Sequence, residues 1–352
     1  MRLLRWAAVA VVSIWAGLPG SAEALVLTIE QTFPLAGAPG DAEGIAVIRT
    51  GPNAGIYIPH DTEGLVTVLD VTTGAFLYNF SVSFGALSTE LRSIDVLPNG
   101  NLIIGQHDVN QVREFVIPPN PGNGTTPAAS LGTIAFALPL HPDNSQPFDE
   151  FEAISAFARP SDGQVFLLIA EEGRTLPNQP VPPGQEVESP GEVYLALVSG
   201  AGITSFTKLF SVPLADNFDD VSGLDVINIA FDGLGNIDLA GSTILMTDDS
   251  SGAQSGAFVL DLTGQILESL DGPGTGTVAS FETQFLQPWR DAEGADYDPE
   301  TGIITVFFSD GANGTPAIVS FASVLEAPAP EPATFAMLGL GLAAVALLRA
   351  RS

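Results

Sequence analysis

No cysteine occurs in the 352 residues, which excludes disulfides and cysteine-ligated zinc. Lysine is almost missing too, Lys208 being the only one, and His60, His107 and His141 are the only imidazoles. A bound metal is therefore expected to be a hard cation on oxygen ligands rather than zinc. Positive charge is scarce: 11 Lys and Arg stand against 41 Asp and Glu, a net charge of −30. Such a surface repels nucleic acid and anionic lipid and attracts cations, so nucleic-acid partners are excluded. Helical signals of any length are missing before residue 333.

The two ends carry what hydrophobic runs there are. Arg2 and Arg5 precede an apolar stretch from Trp6 to Leu18, and Ala22-Glu23-Ala24 offers a small-x-small cleavage site. This is the pattern of a secretory signal peptide, with the mature chain expected to start near Leu25. At the other end Pro330-Glu331-Pro332 is followed by an uncharged run, Ala333 to Leu348, and then by Arg349 and Arg351. The run is shorter than the roughly 20 residues of a comfortable spanning helix. The order of tripeptide, apolar run and basic end resembles the PEP-CTERM sorting signal of Gram-negative bacteria. That resemblance implies recognition by a membrane exosortase, transient residence in the inner membrane through a short C-terminal hydrophobic helix, and delivery to the cell surface or extracellular matrix. The expected division is a signal peptide over 1–24, a body over 25–326 and a sorting signal over 327–352.

The body repeats itself. Asp41-Ala42-Glu43-Gly44 recurs as Asp291-Ala292-Glu293-Gly294, with weaker copies beginning at Glu90, Glu150 and Asp220. A second element, Val68 to Gly74, parallels Val259 to Gly264. In the first unit the stretches Gly44–Ile48, Gly55–Pro59, Leu65–Val71 and Ala75–Val82 are rich in β-branched and aromatic residues and punctuated by Gly, Asn and Pro, which reads as four strands. Four-stranded units in radial repetition make a β-propeller, in which few sheet edges are left open. The expectation is an all-β, five-bladed β-propeller, six blades being the alternative if a degenerate unit is hidden. A two-domain β-sandwich would leave the repeated unit starts without a reason. The last unit has three strands, Gly294–Tyr297, Ile303–Phe308 and Ala317–Phe321, so Val26–Phe33 is expected to supply the fourth and close the ring.

That scheme brings three columns of residues to one mouth. The residues entering each first strand are Asp41, Glu90, Glu150, Asp220 and Asp291, and those after each second strand are Asp61, Asp108, Glu172, Asp249 and Asp310. The column nearest the axis reads Glu43, Arg92, Glu152, Ser222 and Glu293. Converging carboxylates repel one another unless protons or a cation neutralise them, and calcium accepts many oxygens in flexible geometry. Glu43, Glu152 and Glu293 are the expected ligands, with Asp225 and Asp296 further along the first strands as second choices. Arg92 is expected to neutralise part of the ring or to grip an anionic ligand group. For the outer columns the expected role is plainer: acceptors for backbone N–H groups in turns. His60-Asp61 and His107-Asp108 repeat at equivalent places, either as acid–base pairs or as remnants of the repeat, and together with Asp249 and Asp310 they complete the candidate ligand-binding set.

The proline-rich stretch Thr175–Gly191 falls on the same face and is expected to overhang the mouth. Glu43-Gly44, Glu293-Gly294 and the turn Asp298-Pro299-Glu300-Thr301-Gly302 resemble those of phytase-like and gluconolactonase-like bacterial propellers. The resemblance implies a divalent ion on Glu43, Glu152 and Glu293 that activates water or polarises a carbonyl. The chain contains no Gly-x-Ser-x-Gly nucleophile motif. Two functions are therefore expected to compete: a non-catalytic surface or matrix protein binding calcium or exopolysaccharide, and a metal-dependent extracellular hydrolase of a lactone, ester or phosphate ester.

Overall fold

The computed structural model describes residues 23–25, 27–34, 42–61, 64–84, 90–106, 111–121, 130–131, 134–137, 151–171, 191–199, 202–212, 221–248, 256–269, 281–287, 289–310 and 315–323. In chain order the strands open with β1 (Glu23–Ala24), β2 (Leu27–Pro34), β3 (Ala46–Ile48), β4 (Gly55–Pro59), β5 (Leu65–Leu69) and β6 (Phe76–Ser83). The next are β7 (Leu91–Val96), β8 (Leu102–Gln106), β9 (Gln111–Phe115), β10 (Ser130–Leu131) and β11 (Ile134–Ala137). They are followed by β12 (Phe151–Ala158), β13 (Val165–Glu171), β14 (Glu192–Ser199) and β15 (Gly202–Ser211). The last are β16 (Val221–Phe231), β17 (Ile237–Asp248), β18 (Gly256–Asp261), β19 (Ile266–Ser269), β20 (Arg290–Asp298), β21 (Ile303–Asp310) and β22 (Ala317–Ser323). One helical turn, α1 (Phe281–Phe285), precedes the last unit.

These strands form five sheets, the five blades of a propeller. The first blade is β3 to β6, the second β7, β8, β9 and β11, the third β12 to β15, and the fourth β16 to β19. The fifth takes β20, β21 and β22 from the C-terminal end of the body and β2 from the N-terminal end. β2 lies antiparallel to β22, from Leu27 opposite Ser323 to Pro34 opposite Ala317. The N-terminal strand thus closes the ring, as its sequence position implied. Two additions were not legible: β10 joins the outer edge of the first blade, parallel to β6, and β1 joins that of the fourth, parallel to β19. β10 covers ladder groups at its sheet edge, whereas β1 lies within the expected signal peptide.

Each middle strand is buried on both faces because a blade is sandwiched between two neighbours. In β4 all five residues are buried. Ile56 and Ile58 pack toward the fifth blade, with Phe33, Phe307 and Ile318. Tyr57 packs toward the second, with Ile94, Leu102 and Phe115. Five hydrophobic clusters result, one at each blade junction, including the junction of last and first. α1 belongs to one of them: Phe281 is fully buried and its ring meets those of Phe308 and Phe321.

Both sequence repeats have a packing reason. The Asp-Ala-Glu-Gly copies place glycine where inner strands meet backbone to backbone around the axis. A Cβ on Gly294 would stand 2.6 Å from the Cα of Gly44, and one on Gly223 would stand 2.8 Å from the Cα of Gly294. The second repeat builds the turn between third and fourth strands. Asp70 accepts the N–H groups of Thr72 and Thr73 and the Thr73 hydroxyl, and Asp261 does the same for Thr263 and Gln265. The glycine ending each turn has positive φ and lies against a phenylalanine of the preceding blade, Gly74 on Phe33 and Gly264 on Phe210.

Candidate functional site

The inner strands β3, β7, β12, β16 and β20 line a central channel with two layers of polar side chains. At the mouth stand Glu43, Arg92, Glu152, Ser222 and Glu293, the innermost column expected from the repeats. Three residues further along each strand come Ala46, Asp95, Ser155, Asp225 and Asp296.

The mouth layer is an ion cluster centred on Arg92. Its Nη1 lies 3.2 Å from Glu43 Oε1 and its Nε 4.0 Å from Glu152 Oε1. Burial alone would lower the Arg92 pKa, but Glu152 foremost, then Glu43, Asp61 and Glu293, hold the guanidinium firmly protonated. Glu293 accepts the Ser309 hydroxyl at 2.7 Å, and its carbonyl accepts the N–H of Gly44, tying fifth blade to first. Ser222 donates to the carbonyl of Ala292. Arg92, expected from the sequence to neutralise part of the ring or to grip an anionic ligand group, is the positive charge around which the column is arranged.

The second layer is a chain of inter-blade hydrogen bonds. Asp95 of the second blade accepts the N–H of Ala156 in the third. Ser155 of the third blade accepts the N–H of Val226 in the fourth at 3.2 Å and donates to Asp225 at 2.9 Å. Asp225 of the fourth accepts the N–H of Tyr297 in the fifth, and Asp296 of the fifth accepts the N–H of Val47 in the first at 2.8 Å. At the one remaining junction Ala46 has no acceptor to offer, and the N–H of Val96 turns to Asp95 of its own blade. Burial raises all three carboxyls above the usual range. For Asp225 the value is about 6, opposed by the N–H groups of Tyr297 and Val226 and the Ser155 hydroxyl. Asp95 is pushed up further by Asp225, and Asp296 by Asp225 and Asp95, with Arg49 opposing.

Beyond this layer the channel opens on the other face into a cavity of about 730 Å³, lined among others by Arg49, Asp95, Asp225, Asp296, Tyr297 and Glu300. Arg49 bonds Asp298 at 2.8 Å and Thr305 at 3.1 Å, a further link of the first blade to the fifth. Asp225 and Asp296, the second-choice metal ligands, therefore face this channel with their carboxylates engaged by the next blade. Asp95 was not singled out from sequence. Its place three residues after the mouth column marks it, but the column is broken by Ala46 and Ser155.

The rim is more dispersed. Asp291 has φ 50, a left-handed conformation that Asp tolerates better than most residues. Burial and the neighbouring Asp310 raise its pKa, with Arg290 opposing. His60 is buried, and its Nε2 meets the Thr67 hydroxyl at 2.6 Å, inside the first blade. Asp61 follows it, half-buried, within electrostatic reach of Arg92. Among the described residues no three His, Asp or Glu side chains converge as metal ligands do. His107, Asp108, Asp249, Ala22, the Thr175–Gly191 stretch apart from Gly191, and the tail with Pro330, Glu331, Pro332, Arg349 and Arg351 lie outside the described residues, as does the expected C-terminal helix. Ala24 pairs with Ser269 in the fourth blade.

The tail is settled by comparison with known families. Residues 328–352 match the PEP-CTERM protein-sorting motif. A PEP-CTERM tail marks a protein that is exported, processed by an exosortase and sorted to the surface of a Gram-negative bacterium. The match is confined to the tail. No curated protein matches the chain. Among solved structures the chain is similar to hydrazine synthase of Kuenenia stuttgartiensis, with 11% identity over 76% of this chain and a TM-score of 0.33; it spans 65% of that chain. It is also similar to the PQQ-bound aldose sugar dehydrogenase of Streptomyces coelicolor, at 12% identity and TM-score 0.41, over 86% of this chain and 99% of that one. A luciferin-regenerating enzyme gives 12% identity and TM-score 0.42, over 84% and 96%. Likenesses this distant carry no argument about chemistry.

Proposed function

We propose that this exported, exosortase-sorted propeller is a non-catalytic surface or matrix protein that binds exopolysaccharide at its acidic mouth, with calcium as a bridging ion. The observation that supports this reading is the mutual pairing of the mouth charges. Arg92 is held between Glu43 and Glu152, and Glu293 takes the Ser309 hydroxyl. Such a ring is a fixed array of donors and acceptors suited to hydroxyl groups. The rest of the argument is charge. A protein of net charge −30 repels an acidic polysaccharide unless divalent cations lie between them. Calcium tolerates ligands drawn from two partners. In this proposal it is shared between rim carboxylates, Asp61, Asp291 and Asp310, and the polysaccharide, instead of being enclosed by Glu43, Glu152 and Glu293.

The test is calcium titration calorimetry on the secreted protein, melting with and without EDTA, and retention on acidic exopolysaccharide across a calcium series. Weak, multiple calcium sites and calcium-dependent retention are the expected results. One tight site with a large loss of melting temperature in EDTA would overturn the reading in favour of the metal-dependent hydrolase, whose ion needs an enclosed place and an open coordination position. Retention that ignores calcium would remove the bridging ion.

A further inference from the structure

The chain leaves the propeller on the face opposite the mouth. β22 ends at Ser323, whose N–H and hydroxyl both donate to the carbonyl of Gly302, at 3.1 and 2.6 Å. Gly302 belongs to the turn joining β20 to β21, at the far end of β20 from Arg290 and Glu293. Six residues separate Ser323 from Pro330, a tether of about 20 Å at full extension. We propose that, as long as the tail is anchored, this hairpin face is held against the membrane and the mouth of Glu43, Arg92, Glu152 and Glu293 points away from it.

Several features of the hairpin face fit that position. It is built from short turns whose carboxylates are engaged locally: Asp232 accepts the N–H groups of Leu234 and Asn236, and Asp298 accepts that of Glu300 and the Thr301 hydroxyl. Leu234, 88% exposed, stands at the tip of the β16–β17 hairpin, and Phe76, 59% exposed, starts β6 just after the Asp70–Gly74 turn. Isolated exposed apolar side chains are ordinary, but both of these fall on the side facing lipid. The acidic surface gains nothing by adhering to anionic headgroups. The short tether therefore sets the orientation, and it limits tilting because its length is smaller than the propeller's depth. β21 alone, eight residues long, spans about 25 Å.

The absence of cysteine makes the test direct. Single cysteines at Glu300→Cys and Leu234→Cys on the hairpin face, and at Asp310→Cys at the mouth end of β21, are placed in the full-length chain. Each is labelled with a donor fluorophore and reconstituted into vesicles of neutral and anionic phospholipid carrying a headgroup acceptor. Energy transfer is expected to be strong from positions 300 and 234 and weak from 310. Equal transfer from both faces, the reverse order, or failure of the chain to float with the vesicles would overturn the proposal. A long Gly/Ser insert after Ser323 makes a flexible tether and is expected to erase the difference between faces. If the difference survives the insert, adhesion of the body and not the tether fixes the orientation.

Discussion

Asp296 in the fifth blade accepts the backbone N–H of Val47 in the first at 2.8 Å, across the seam where the two ends of the ring meet. The bond joins residues 249 apart in sequence, so it forms only when the ring is complete. Asp296→Ala leaves the half-buried N–H of Val47 without this acceptor and is expected to cost about 1–3 kcal/mol. Asp296→Asn keeps an acceptor oxygen and removes a charge next to Asp225 and Asp95, which both push the Asp296 carboxyl up. Urea melts at neutral pH should therefore place the Asn variant at or above the wild type and the Ala variant well below. Equal losses in the two would mean that the charge, and not the acceptor, holds the seam.

The raised carboxyls of the inner layer favour the folded state more at acid pH than at neutral pH. Asp225 shifts from 3.8 to about 6 on folding. Below about pH 4 both folded and unfolded chains hold its proton. Between about 4 and 6 the folded chain keeps it and the unfolded chain releases it, so this group's contribution falls as pH rises and is flat above the folded value. Asp95 and Asp296 act in the same sense, and Ser155, Tyr297 and Arg49 are the other polar groups around the set. Exposed turn carboxylates such as Asp70 and Asp232 have lowered values and oppose the trend, so the informative quantity is a difference. The stability of wild type minus that of Asp225→Asn should shrink from pH 4 to pH 7. A constant difference would mean that Asp225 titrates alike in both states.

Phe33 and Gly74 form a second, apolar latch between the closing strand and the first blade. A Cβ at position 74 would stand 2.4 Å from the Phe33 ring, and Gly74 has φ 67. Gly74→Ala thus combines a clash with backbone strain and should destabilise by about 1–3 kcal/mol. Phe33→Ala should cost about 3–5 kcal/mol through the cavity it leaves. Because the truncated Phe33 makes room for the new methyl group, the double variant is expected to lose less than the sum. Additive losses in denaturant melts would show that the two residues do not sense each other.

Much of this architecture is legible in the sequence. The Asp-Ala-Glu-Gly copies marked the strands lining the channel, and the missing fourth strand of the last unit pointed to the N-terminal segment, found as β2 over Leu27–Pro34. β1 and β10 were not legible because two-residue strands have no periodicity to read. The polar layer of Asp95, Ser155, Asp225 and Asp296 was only half seen. Its acceptors vary between Asp and Ser because a junction is indifferent to which residue supplies the oxygen, and Ala46 breaks the column where the N–H of Val96 is met within its own blade. For Arg92 the sequence pointed to partial neutralisation of the ring without naming the partners. A column of residue types says that charges converge, but which of them neutralise one another is decided by side-chain geometry.

Removing Arg92 tests that geometry. Arg92→Met keeps most of the side-chain volume while leaving Glu43 and Glu152 without the guanidinium 3.2 and 4.0 Å away. Stripping the partner from a buried carboxylate costs about 3–5 kcal/mol. The Arg92 side chain is 28% exposed, so solvent screening reduces the expected loss to about 1–3 kcal/mol. In the variant the two glutamates repel each other and become competent to share a calcium ion. A ligand that binds only the folded state stabilises it in proportion to its occupancy, so millimolar calcium should raise the melting temperature of Arg92→Met markedly and that of the wild type little. Arg92→Lys retains a charge without the planar fork and should fall between them. If calcium leaves Arg92→Met unmoved, Glu43 and Glu152 do not come together as an oxygen pair, and the mouth owes its arrangement to the blades alone.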